Sequence, residues 1–110
     1  MNIEELRECC LSVKGANECF PFDDTVLVFK VMEKMFAYIG LDCRGEELRV
    51  NLKCDPSRSE ELRERYTGVA PGVHMPKGLL WNAVSLESDV PDELIRELVT
   101  HSVDEVIKKL

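Results

Sequence analysis

Apolar and polar positions recur with two different periods along this chain, and the changes of period mark its elements. Over residues 3–13, Ile3, Leu6, Cys10 and Val13 return at helical spacing, with Glu4, Glu5, Arg7 and Glu8 on the other side. The early acids suit the positive end of a helix dipole, and Lys14-Gly15 stops the run. Residues 19–25 read as a short edge strand, because Pro21 holds an extended backbone and biases Phe20 the same way. An Asp23-Asp24 turn closes it. Val26-Leu27-Val28-Phe29-Lys30-Val31 is rich in strand formers, Met32-Glu33-Lys34 turns, and Met35-Phe36-Ala37-Tyr38-Ile39 returns. Residues 47–53 alternate strictly: Leu48, Val50 and Leu52 face a core, while Arg49, Asn51 and Lys53 face outward.

The helical period then comes back. Asp55-Pro56 is an N-cap followed by proline at the first helical position, and the helix runs to about residue 66 with Leu62 and Tyr66 as its anchors. Its other side chains are mostly charged, so it lies on the surface. Two short strands follow, about 69–74 and 80–86, joined at Met75-Pro76-Lys77-Gly78. A last helix opens after Asp89, and Leu94, Leu98, Val99, Val103, Val106 and Ile107 give it a broad apolar stripe. The order α-β-β-β-β-α-β-β-α predicts an α+β fold. The expectation is an antiparallel sheet of about five to six strands, N- and C-terminal helices on one face and one short surface helix. The 110 residues fit one domain spanning 1–110.

Charge narrows the functional classes. The formal net charge is −7, but residues 1–25 carry −4, residues 87–110 carry −4, and the middle carries +1. Both ends repel nucleic acid, and any basic face must come from residues 26–86. From Arg65 to Leu86 there is no acid. No segment reaches the length of a membrane span, and the acidic start lacks the pattern of a signal peptide, so the cytosol is the expected compartment. The five cysteines, Cys9, Cys10, Cys19, Cys43 and Cys54, are odd in number and form no CxxC. Reduced thiols and no bound metal or cofactor are expected. Asp23 and Asp24 lack a third nearby ligand.

Catalysis finds little support. Only His74 and His101 can serve as an imidazole base. Cys54 precedes a helix N-terminus, a place that lowers a thiol pKa, but nothing in the sequence puts a histidine beside it. No phosphate-binding loop, zinc-protease or nucleophile-elbow motif occurs, and no enzyme activity is expected.

A binding face is the stronger candidate, and it depends on hairpin register. A three-residue turn puts Met35, Ala37 and Ile39 in the core with Leu27, Phe29 and Val31. Lys30, Lys34, Phe36 and Tyr38 then share the outer face with Arg49, Asn51 and Lys53. A two-residue turn sends Phe36 and Tyr38 to the core instead. Bases interleaved with rings serve phosphates and nucleobases; the alternative is a solvated sheet face. His74, Lys77, Trp81 and Asn82 form a second candidate, unless Trp81 sits in the core beside Leu62.

Phe20-Pro21-Phe22-Asp23-Asp24, Val28-Phe29-Lys30-Val31, Leu52-Lys53-Cys54-Asp55-Pro56, Pro71-Gly72-Val73-His74-Met75, Trp81-Asn82 and His101-Ser102, in that order, resemble the MmcQ/YjbR family of small bacterial proteins. The resemblance covers nearly the whole chain. It implies a CyaY-like, "double-wing" α+β fold and a DNA-binding role without catalytic residues or cofactor. The residues expected to meet nucleic acid are Lys30, Lys34, Tyr38, Arg49, Lys53, His74 and Lys77. The alternative is an adaptor that binds a protein or small ligand and no nucleic acid. Glu33 stands where the family often has glycine in the first hairpin turn.

Overall fold

A computed structural model describes residues 1–21, 24–41, 47–72 and 81–108. Helix α1 (Ile3–Leu11) opens on a capping box: Asn2 Oδ1 accepts from the Glu5 N–H, and the Glu5 carboxylate accepts from the Asn2 N–H. Strand β1 (Asn17–Cys19) ends before Pro21, which has no N–H to continue a ladder. Then follow β2 (Val26–Val31), β3 (Lys34–Gly40), β4 (Arg49–Lys53), α2 (Pro56–Arg65), β5 (Val69–Pro71), β6 (Trp81–Ser85) and α3 (Asp92–Ile107). Asp55 caps α2 by accepting from the Arg58 N–H, with Pro56 at the first helical position.

The strands form one six-stranded antiparallel sheet in the order β1-β2-β3-β4-β6-β5. This is the α+β class that the order of elements predicts. One face carries the core. Leu27, Ile39, Val50, Val84 and Val69 lie in register across the sheet, with Phe29, Ala37 and Leu52 in the next row. Leu6 and Cys10 of α1, Leu62 of α2, and Ile95, Leu98, Val99, Val103 and Val106 of α3 join the same cluster. All three helices therefore pack on one side. Fully burying each large side chain is worth roughly 1.5–3 kcal/mol before chain entropy is subtracted.

The first hairpin follows neither expected register alone. Met32 and Glu33 form a two-residue turn, with φ of 51° and 64°, and Val31 pairs with Lys34. The register then shifts between Phe29 and Lys30: Lys30 faces Met35, but Phe29 faces Ala37. Phe36 is the extra residue of a bulge, and it enters the core 6.4 Å from the Phe29 ring. Beyond it, Ala37 and Ile39 face the core and Tyr38 faces outward, as a three-residue turn would give. Met35, expected inside, stands beside Lys30 on the outer face. Lys34 shares the core side with Val31 and is parted from Lys30.

A hydroxyl from α3 accommodates the bulge. The β3–β4 pairing stops at Ala37 and Leu52. At the next step Ser102 Oγ accepts from the Lys53 N–H at 2.9 Å and donates to the Phe36 carbonyl at 2.5 Å. One fully buried side chain thus supplies both partners that the opened ladder leaves wanting.

Candidate nucleic-acid interface

The face turned away from the helices carries Val28, Tyr38, Asn51, Ala83 and Ala70 as one row from β2 to β5. Lys30 and Met35 stand to one side of that row, with Lys53 and Trp81 toward the same end of the sheet. Arg49 and Ser85 stand at the other end. Among the described residues no helix covers this face. Its centre is nonetheless not wet: Val28 and Ala83 are buried, Asn51 is 9% exposed and Trp81 7% exposed. A ring pair lies over this part of the face. Tyr38 on β3 and Trp81 on β6 are separated by β4, yet their centroids lie 5.6 Å apart, so the rings lean together over β4 between Asn51 and Lys53. Burial pushes the Tyr38 hydroxyl pKa up. Trp81 is buried, as a core position would require, but its ring rests against Tyr38 on the face opposite the cluster that holds Leu62.

The expected site residues divide accordingly. Lys30, Tyr38, Arg49 and Lys53 occupy the outer face, Lys34 does not, and His74 and Lys77 lie outside the described residues. Arg49 is paired with Glu47 at 3.1 Å. The Ser85 hydroxyl, and then Arg49, hold the Glu47 carboxyl below its usual pKa, so that acid stays charged and offsets the arginine. Lys30 and Lys53 flank the Tyr38 ring from neighbouring strands, about 10 Å apart by two strand spacings.

Trp81 is held from below. The Arg63 guanidinium donates to Asn82 Oδ1 at 2.9 Å and to the Trp81 carbonyl at 3.4 Å, and Asn82 Nδ2 donates to Ser59 Oγ at 3.1 Å. Gly72 donates its N–H to the Trp81 carbonyl at 2.7 Å, and a Cβ on Gly72 would lie 2.8 Å from the Trp81 Cβ. Glycine is required there by close approach rather than by a positive φ. Trp81 and Asn82, adjacent in sequence and grouped as one candidate with the core as the alternative for Trp81, separate in the fold: Asn82 is a buried tie between α2 and β6.

The cysteine and histidine of the catalytic reading meet near the start of α2, with different chemistry. His101 Nε2 accepts from the Asp55 N–H at 3.2 Å, one residue beyond Cys54, so that lone pair is occupied. The Glu105 carboxylate is 3.8 Å from the same nitrogen. Cys54 is buried, and burial drives its pKa up, against weaker opposing pulls from the Ser59 hydroxyl and Arg58. The helix start therefore does not lower it. Cys9, Cys10, Cys19 and Cys54 are free thiols, and Cys43 lies outside the described residues. Among the described residues no three His, Cys, Asp or Glu side chains are grouped to hold a metal, and no helix is long and apolar enough to cross a membrane.

Fold and face together define an α+β protein whose sheet keeps the three described helices on one side. Comparison with known proteins gives the family: the YjbR family model matches residues 11–104, and the chain belongs to the YjbR family. It is 31% identical over 112 residues to the uncharacterized protein YjbR of Escherichia coli (strain K12), covering 100% of this chain and 91% of that one. It is 30% identical over 107 residues to the uncharacterized protein YbdF of Escherichia coli O157:H7, covering 97% and 85%. Among solved structures, Deinococcus radiodurans protein DR2400, described as a DUF419 domain, superposes with a TM-score of 0.87 at 40% identity, covering 98% of this chain and 80% of that one. A Pseudomonas syringae protein shares the fold at a TM-score of 0.81 and 20% identity, covering 96% and 99%.

Proposed function

We propose that this protein is a non-catalytic, cytosolic DNA-binding module, and that DNA lies on the outer sheet face beside Lys30, Tyr38 and Lys53. The observation that carries the reading is the Tyr38 ring, braced by Trp81 and flanked by two lysines on a face that no helix covers among the described residues. Lysines neutralise phosphates, and a ring offers a stacking surface to any base. Trp81 is too buried to be that surface itself; it fixes the angle of Tyr38. The absence of catalysis is supported by the raised Cys54 pKa and the occupied His101 Nε2.

The net charge of −7 opposes association, so affinity falls in the non-specific range, about 10⁻⁴ to 10⁻⁶ M at physiological salt. Anisotropy titration of labelled DNA at about 50 mM and about 200 mM salt tests the proposal. Binding that weakens steeply with salt supports it. No binding at the lower salt overturns it in favour of an adaptor that meets no nucleic acid.

A further inference from the structure

We infer that the outer face takes an unpaired base of single-stranded nucleic acid, and that the Asn51 carboxamide hydrogen-bonds the edge of that base. The inference rests on the proposed nucleic-acid reading and goes beyond it in strandedness and in the residue that recognises the ligand.

Asn51 is at the centre of the face, opposite Tyr38 on β3 and Ala83 on β6. It is 9% exposed, and its Oδ1 is buried without a hydrogen-bond partner. A buried carboxamide oxygen without a donor is costly; in its row Val28, Ala83 and Ala70 are apolar at their side chains, and the one hydroxyl, that of Tyr38, leaves Oδ1 unbonded. Asn82, the comparable amide on the helix side, is bonded at both ends, to Arg63 and to Ser59. Asn51 therefore has the character of a group whose partner comes from outside the chain.

The neighbours identify that partner. Tyr38 puts a ring beside the amide, and Lys30 and Lys53 put positive charge on either side of the ring. A planar ligand with a hydrogen-bonding edge and an attached anion satisfies all three, and a nucleotide is that ligand. Tyr38 can stack only on a base whose face is free, which a duplex does not offer. A half-turn about the Asn51 Cβ–Cγ bond, a soft torsion, exchanges its donor and acceptor ends, so the amide accommodates different base edges.

The test compares four ligands at about 50 mM salt: a single-stranded ten-mer, the corresponding duplex, an abasic strand of equal length and a nucleoside monophosphate. Wild type is expected to bind the single strand more tightly than the other three. Asn51→Leu removes the unbonded amide at similar volume and should melt at or above the wild-type temperature. It should bind the single strand about three- to tenfold more weakly, the worth of one hydrogen bond, and leave the abasic strand unchanged. Asn51→Ala, a second route to the same loss, should do likewise. Equal binding of duplex or abasic strand by wild type overturns the inference while leaving DNA binding intact, as does wild-type affinity in both variants. Equal affinity for the monophosphate assigns the face to free nucleotides and overturns the strand reading. Failure to bind any nucleic acid removes the proposed function as well.

Discussion

Tyr38 and Trp81 belong to strands that are not neighbours, and their rings nonetheless meet at 5.6 Å across β4. A tilted pair of this kind is worth about 0.5–1.5 kcal/mol beyond its burial. A double-mutant cycle with Tyr38→Leu and Trp81→Leu, read by chemical unfolding, should return a coupling of that size. Trp81 is also the only tryptophan, so a ligand that stacks on Tyr38 should change its fluorescence. Additive single mutants would mean that the rings do not brace one another.

Ser102 ties the site to the opposite side of the sheet. Its hydroxyl accepts from the Lys53 N–H and donates to the Phe36 carbonyl, both beside the bulge. Ser102→Ala leaves two backbone groups without partners and should cost about 1–3 kcal/mol in denaturant unfolding. A loss below about 0.5 kcal/mol, the scale of an uninvolved surface change, would show that the ladder closes without it.

The β2–β3 turn holds two residues with side chains in the left-handed region, Met32 at φ 51° and Glu33 at φ 64°. Asn-Gly is the pair such a turn favours. Replacing Met32 by Asn and Glu33 by Gly together should stabilise the protein by about 1 kcal/mol, since the left-handed conformation costs roughly 1–2 kcal/mol per ordinary residue. The change also removes a negative charge next to Lys34. An unchanged unfolding midpoint would argue against this turn geometry.

Much of this architecture is legible in the sequence. The α3 stripe, the Asp55-Pro56 start and the alternation of residues 47–53 each have one physical reading, and each element formed. The bulge is not legible, because Met35, Phe36 and Ala37 are all apolar and no step in the pattern marks the extra residue. Lys34 changes sides for that reason. Alternation places Asn51 on the correct face, but its burial there, beside a ring pair drawn from two other strands, is a tertiary fact invisible to alternation. The proximity of His101 to Asp55 likewise depends on how α3 crosses the sheet.

Asp89 gives the fold a sign-definite pH dependence. Its carboxylate accepts from the Thr67 and Gly68 N–H groups, both at 2.8 Å, and these bonds hold its pKa below the ordinary aspartate value. A pKa depressed by folding adds stability that is complete above the unfolded value and disappears as pH falls through the folded one. Asp89→Asn should therefore be less stable than wild type at pH 7, and the difference should begin to shrink below about pH 4 and close as pH falls through the lower folded pKa. A difference independent of pH would show that the carboxylate charge plays no part.

If DNA meets the outer face of the sheet, and not the core side of the first hairpin, the lysines on the two sides must differ in what they do. The salt slope of DNA binding for wild type, Lys30→Gln/Lys53→Gln and Lys34→Gln measures that difference. The double variant should bind more weakly. Its slope should be shallower by about 0.7 for each phosphate it no longer neutralises on a single strand, or by about 0.9 on duplex. Lys34→Gln should behave as wild type, because its strand position faces the other way. Lys34 is exposed and contributes little to folding, so Lys34→Gln should leave the unfolding midpoint unchanged; Lys30 and Lys53 are half-buried, so binding by their double variant is read below its own unfolding midpoint. A wild-type slope in the double variant, or a shallower slope in Lys34→Gln alone, would contradict binding at the outer face.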